Sequence, residues 1–212
     1  MARTKEDLFR IIGASNHCAD DREAVDFYST DPDCVKDLLE REDFGGVILE
    51  PCCGNGNIAK TLKEENSYTV IASDLYDHGY GDIGVDCFSY ENMPVDIISN
   101  PPYSLTTEFI EHMLNKVLMP GHKMALFLKI QCLEGQARYQ KIFSQGKLKR
   151  VYVYVNRVAC YKNDERYQKN EDGSLKLDKD GNPKKIGSAA CYAWYIFDAD
   201  YSGFPEIRWI VK

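Results

Sequence analysis

The chain has 212 residues, 44% of them hydrophobic and 28% charged, with a formal net charge of −7. That is enough apolar chain for one domain with a sizeable core. It excludes a membrane-spanning helix, because no apolar run approaches the ~20 residues a bilayer requires. The first residues are charged (Arg3, Lys5, Glu6, Asp7), so no secretory signal is expected. Eight cysteines occur without the CxxC or Cys/His spacing that holds zinc. No metal is therefore expected, and a reduced, cytoplasmic location is.

Residues 1–22 read as a polar, loosely ordered start or a capping helix. Asp31-Pro32 is a helix opening, a cap followed by a first-turn proline, with Val35, Leu38 and Leu39 inward. Gly45-Gly46 precede a strand-type run, Val47 to Glu50. The loop Pro51-Cys52-Cys53-Gly54-Asn55-Gly56-Asn57 follows, then a helix from Ile58 for which Asn57 is the expected cap. Strand, glycine turn and helix together bring backbone and a helix N-terminus close to a ligand. Cys52 and Cys53 are expected to serve as small loop residues, not nucleophiles. The next strand, Tyr68 to Ala72, ends at Ser73-Asp74, 24 residues after Glu50. A carboxylate there is placed to accept from two ribose hydroxyls. Asp82 and Asp86 flank a third strand end, and Asp86-Cys87-Phe88 could border an adenine ring.

The apolar run Val95 to Ser99 closes on Asn100-Pro101-Pro102-Tyr103. A helix is expected from Thr106 to Leu118, stopped by Pro120-Gly121. Strands are expected at Lys123–Lys129, Arg150–Val155 and Cys191–Phe197, a helix at Gln136–Phe143, and an edge strand at Ile207–Val211. Between the last two core strands lies 162–187, whose Asp-Gly turns suggest a flexible, lysine-rich hairpin. Residues 138–187 carry 13 lysines and arginines against six acids, a net of +7, so the rest of the chain holds −14. A basic face on an acidic body attracts a phosphate backbone locally. A merely solvated polar insertion would have the same composition.

The tetrapeptide has a chemical logic. An exocyclic amino group on a purine is a poor nucleophile, because its lone pair is delocalised into the ring. A site can offer two acceptors to its two N–H groups and so aim the lone pair. Asn100 can supply a side-chain oxygen and Pro101 a carbonyl stiffened by the Pro-Pro pair. Tyr103 offers a flat face, worth about 1–3 kcal/mol to a stacked base. The bland reading is a strand followed by a Pro-rich turn. The loop Gly54-Asn55-Gly56-Asn57-Ile58-Ala59 is not GxGxxG. A nicotinamide cofactor would leave the tetrapeptide without a role.

On these residues the chain resembles the S-adenosylmethionine-dependent amino-methyltransferases with an (Asn/Asp/Ser)-Pro-Pro-(Tyr/Phe/Trp) motif. It is most similar to small, phage-type DNA N6-adenine methyltransferases. The resemblance covers about residues 24–212 and implies a Rossmann-like α/β fold, with a seven-stranded, mostly parallel sheet between helices. Phe27 to Pro32, with Tyr28, Thr30 and Pro32, resembles the segment that closes over the methionine end of the cofactor. Glu50, Pro51, Cys52, Gly54, Gly56 and Asn57 fall in the cofactor loop. Asp74, with Leu75 beside it, matches the ribose-binding acid, and Asp86 the residue near the cofactor adenine. Asn100 to Tyr103 match the catalytic motif, Asn100 also facing the cofactor.

The implied partner is DNA with a flipped adenine, with Lys149, Arg150, Lys176, Lys179, Lys184 and Lys185 on its backbone. Larger relatives carry a separate target-recognition domain, and none is expected here. One methyltransferase domain over 1–212, with 162–187 as an insertion and no obligate protein partner, is the expectation. The same motif also suits RNA adenine or a protein glutamine amide, whose nitrogen is likewise planar with two N–H groups. A non-catalytic nucleic-acid-binding module is the remaining alternative.

Overall fold

A strand buried on both faces has no polar side to show, so it reads as an unbroken apolar run. Ile97-Ile98 form the apolar centre of such a strand, Asp96–Ser99, and all four residues are buried. In the computed structural model, which describes residues 28–162, 164–188 and 190–211, it lies in the middle of a large sheet. The expected N-terminal segment and Phe27 fall outside the described residues, as does Ala189.

The described chain runs β1 (Tyr28–Thr30), α1 (Pro32–Leu39), β2 (Val47–Glu50), α2 (Asn57–Asn66), β3 (Thr69–Asp74), β4 (Asp82–Ile83) and β5 (Asp96–Ser99). There follow α3 (Thr106–His112), β6 (Lys123–Lys129), α4 (Gln136–Lys141), β7 (Leu148–Tyr154), β8 (Cys160–Lys162), β9 (Tyr192–Asp198) and β10 (Glu206–Ile210). Eight strands form one sheet in the order β10-β7-β9-β6-β5-β2-β3-β4. β9 is antiparallel to both neighbours and every other pair is parallel. The count is eight, not the expected seven. The addition is β10, which lines the free edge of β7 and buries Ile210.

Alternation along each strand sends side chains to two cores. Ile48, Ile98 and Phe127 face α1 and α2, joined by Val35, Leu38, Ile58 and Leu62. Leu49, Ile97 and Leu126 face the other layer, with Phe109, Ile110 and Met113 of the α3 region. Each fully buried Leu, Ile or Phe side chain contributes about 1.5–3 kcal/mol. Asp31 caps α1 by accepting from Asp33 N, and Pro32 opens the helix, as the Asp-Pro pair predicts. Beyond His112, α3 widens into a π-turn at Met113–Val117. At the strand N-termini, the buried Asp96 accepts from Gly45 N (2.6 Å), Lys123 N (2.7 Å) and His122 Nδ1 (3.2 Å), joining β2, β5 and β6. That end is tied shut. The opposite end carries the loops.

Two features were not anticipated. β1 and β8 pair antiparallel as a separate two-stranded ribbon, Tyr28 opposite Lys162 and Thr30 opposite Cys160. The expected single hairpin at 162–187 is a closed arrangement of three segments. Gln168 N donates to the Lys184 carbonyl, Lys184 N to that of Lys176, and Lys176 N to that of Gln168. The turns at Gly173 and Gly181 both take positive φ, near +83°.

Candidate active site

The C-terminal ends of β2, β3 and β5 open on a cavity of about 380 Å³, within the ~300–1,000 Å³ usual for small-molecule sites. β2 delivers Glu50 and the loop Pro51 to Asn55, β3 delivers Asp74 and Leu75, and β5 delivers Asn100 and Pro102. The β1 ribbon supplies Tyr28, Ser29 and Thr30, and a short turn supplies Asp86, Cys87 and Phe88. The topology thus unites most of the residues singled out in the sequence, although they span positions 28 to 102.

Four of them do not line the cavity. Pro32 is the first residue of α1. Gly56 is the N-cap of α2, at φ +79°, and a Cβ there would come 2.3 Å from the Tyr80 ring. Its role is to admit that ring. Pro101 is buried. Tyr103 has its hydroxyl on Cys160 Sγ (3.1 Å), with Tyr28 and Tyr192 rings at 5.6 and 6.1 Å. The Lys129 ammonium lies 4.5 Å from the Tyr103 ring centre. A flat group can use that face only if Lys129 moves aside.

Asn57 is also not the expected cap. It begins the helix after Gly56, and its amide donates to the Thr30 carbonyl and to Asp164 Oδ1, both 3.1 Å. Asp74 accepts from Gly54 N (2.8 Å) and Tyr76 N (3.0 Å), so one carboxylate binds the glycine loop to the end of β3. Each oxygen keeps a further lone pair for a ligand. Asp86 accepts from Phe88 N at 2.9 Å and shapes the turn beside it.

Three cavity-lining residues hold a buried polar atom with no partner among the described residues: Thr30 Oγ1, Glu50 Oε2 and Asn100 Oδ1. Such atoms cost free energy unless a ligand or water satisfies them. Burial pushes the Glu50 carboxyl well above the ordinary glutamate range. Asn100 Nδ2 donates to the Tyr28 carbonyl at 2.9 Å, which settles which way the amide faces. The loop thiols are held away from the thiolate form. The hydrogen bond to Cys87, with burial, holds Cys52 well above the usual thiol range, and burial pushes Cys53 up to about 12.

The cations singled out divide into two groups. Lys149 pairs with Asp198 (2.7 Å), Arg150 with Glu42 and Glu206, and Lys185 with Asp31 and Asp33 (2.7 and 3.0 Å). In the free protein their charge is paired with acids of the same chain. Lys176, Lys179 and Lys184 are exposed on the three-segment arm, and among the described residues no carboxylate pairs with them. Sequence reasoning missed Ser29, Cys160 and Asp164, because their partners lie more than fifty residues away. Among the described residues no three His, Cys, Asp or Glu side chains gather as a metal site, and no helix is long and apolar enough to cross a membrane.

No family model and no curated protein matches this sequence. Solved structures do match in shape. A candidate class I S-adenosylmethionine-dependent methyltransferase from Listeria monocytogenes aligns with a TM-score of 0.55 at 16% identity, over 95% of this chain and 70% of that one. The type I restriction-modification methyltransferase subunit from Streptococcus thermophilus gives 0.55 at 14% identity, over 84% and 46%. A modification subunit of a candidate type I restriction enzyme from Vibrio vulnificus YJ016 gives 0.53 at 12%, over 100% and 54%. The chain spans about half the length of these two subunits. The fold is therefore that of class I S-adenosylmethionine-dependent methyltransferases. The three unpartnered polar atoms fit a ligand rich in hydrogen-bond donors.

Proposed function

We propose that the protein methylates the N6 amino group of adenine in DNA, with S-adenosylmethionine as donor. One observation carries the reading: Asn100 spends its amide nitrogen on the Tyr28 carbonyl, and its Oδ1 is left buried and unpartnered at the cavity wall. An acceptor held this way suits a planar amino group with two N–H bonds.

When bound, S-adenosylmethionine supplies a methyl group made electrophilic by its sulfonium. Glu50 and Thr30 would face its cationic end, Asp74 its ribose and Asp86 with Phe88 its adenine. Asn100 Oδ1 accepts from the target amino group and turns its lone pair toward the cofactor side. The contribution is positioning and polarisation, which supply rate without a side-chain base. A duplex adenine must be flipped out of the stack first, at a few kcal/mol. The arm lysines, and the restriction-modification setting of two structures of the same fold, favour DNA as the substrate. On this reading the chain is one methyltransferase domain working in the cytoplasm without an obligate partner.

The test is incubation with methyl-labelled cofactor and, in parallel, plasmid DNA, RNA and a glutamine-containing protein substrate, followed by mass spectrometry of nucleosides and peptides. Label in N6-methyladenine from DNA is expected. Label in RNA or in glutamine would move the substrate assignment. Transfer to none of them would overturn the reading.

A further inference from the structure

The catalytic loop is held from outside the main sheet. β8 pairs with β1 so that Cys160 sits opposite Thr30, over the end of β5. Its sulfur meets two residues of the tetrapeptide at once. The Tyr103 hydroxyl donates to Sγ at 3.1 Å, and Asn100 Nδ2 faces it at 3.6 Å. The same Asn100 nitrogen donates to the Tyr28 carbonyl on the other strand of the ribbon. Both N–H bonds of the Asn100 amide are thus directed at the ribbon, and Oδ1 is the atom left over. The Tyr103 hydroxyl is buried and needs an acceptor.

We infer that Cys160 is a positioning residue, whose sulfur fixes the Asn100 amide and the Tyr103 ring in the arrangement needed for transfer. The inference rests on the reading of Asn100 as the group that polarises the substrate nitrogen. Cys160 does not touch the reacting atoms. Burial pushes its thiol up to about 11, so it acts as a neutral acceptor, not a nucleophile. Position matters at this distance from the chemistry, because a shift of about 1 Å can cost about 100-fold in rate. β8 runs directly into the lysine arm, so the strand that places the sulfur also carries the arm.

The experiment compares wild type with Cys160→Ala and Cys160→Ser. Alanine removes the acceptor, whereas serine restores one of similar size. For Cys160→Ala, kcat should fall at least tenfold. KM for the nucleic acid and affinity for S-adenosylhomocysteine by calorimetry should stay within threefold. Cys160→Ser should regain kcat to within threefold of wild type. A second readout needs no substrate. The Asn100 side-chain amide proton, followed by nitrogen-15 NMR, should exchange at least tenfold faster in Cys160→Ala and near the wild-type rate in Cys160→Ser. If the wild type methylates nothing, the function assigned above fails while amide exchange still decides the place of Cys160. Unchanged kcat and exchange in the alanine variant would overturn the inference. So would a serine variant as impaired as alanine, since the sulfur would then matter only as volume.

Discussion

Glu50 ends β2 almost fully buried, with one oxygen unpartnered and a carboxyl held protonated well above the ordinary range by burial. A protonated carboxyl attracts a cation less than an ionised one. Affinity for S-adenosylmethionine, whose sulfonium and amino group are cationic, should therefore rise as pH rises through the raised Glu50 value and the carboxyl ionises. The protonated form is also the stable one in the fold, so stability from this group is present at low pH and lost as pH rises through the folded value. Glu50→Gln should flatten the affinity profile. Calorimetric titrations of cofactor at several pH values test this, and a parallel rise in wild type and variant would remove Glu50 from the effect. Asn100→Ala makes the complementary case. It deletes one polarising acceptor, so turnover should fall by about 100-fold or more. Cofactor affinity should hold within a few-fold, as measured with S-adenosylhomocysteine. A variant that loses both together would mean that Asn100 mainly shapes the cofactor cavity.

Gly56 has a packing reason that its local sequence does not show. Strand, glycine loop and helix were legible, because the apolar run, the turn residues and the helical spacing are all local signals. The reason for Gly56 was not, since it lies in a contact 24 residues away. The Tyr80 ring fills the space of its missing Cβ, with Lys60 and Lys63 ammoniums 5.0 and 5.5 Å from the ring centre. Gly56→Ala should cost about 1–2 kcal/mol for left-handed backbone alone, read by denaturant unfolding. The double variant with Tyr80→Ala should be less destabilised than the sum, because the ring that clashes is gone. Strict additivity would place the cost in the backbone only. The same limit applies to the ribbon of β1 and β8. Each strand is three residues long, too short for a period-two pattern, and their pairing joins positions more than a hundred residues apart. Likewise Asn57 has the composition of a cap, but Thr30 and Asp164 claim its amide. Order along the chain was legible for the main sheet. The long-range contacts that orient the catalytic loop were not.

Over the whole molecule, net charge conceals where free charge sits. The sequence places an excess of +7 in residues 138–187, but the fold neutralises part of it. Lys149, Arg150 and Lys185 are held by acids from distant elements. Lys185 in particular pins the base of the arm to the α1 cap. Burial works against the Asp31 carboxyl, yet the hydrogen bonds from Lys185, Asp33 N and Tyr161, with the Lys185 charge, together outweigh it and keep that carboxyl below the ordinary range. What remains for a polyanion is the exposed part of the arm, with Lys176, Lys179 and Lys184. Replacing these three with glutamine should weaken DNA binding and flatten its salt dependence. Each lost phosphate contact lowers the log–log slope by roughly 0.9 for duplex DNA. Cofactor affinity should not move, because none of these three lysines lines the cavity. Lys185→Gln should behave differently, lowering thermal stability of the arm's attachment while removing no phosphate contact from the slope. Binding measured across a salt series for the wild type, the triple variant and Lys185→Gln separates the two roles. If the triple variant keeps the wild-type slope, the arm is a solvated surface and DNA is held elsewhere. If Lys185→Gln flattens the slope as much as the triple variant does, the ion pairs to Asp31 and Asp33 give way to phosphate when DNA binds.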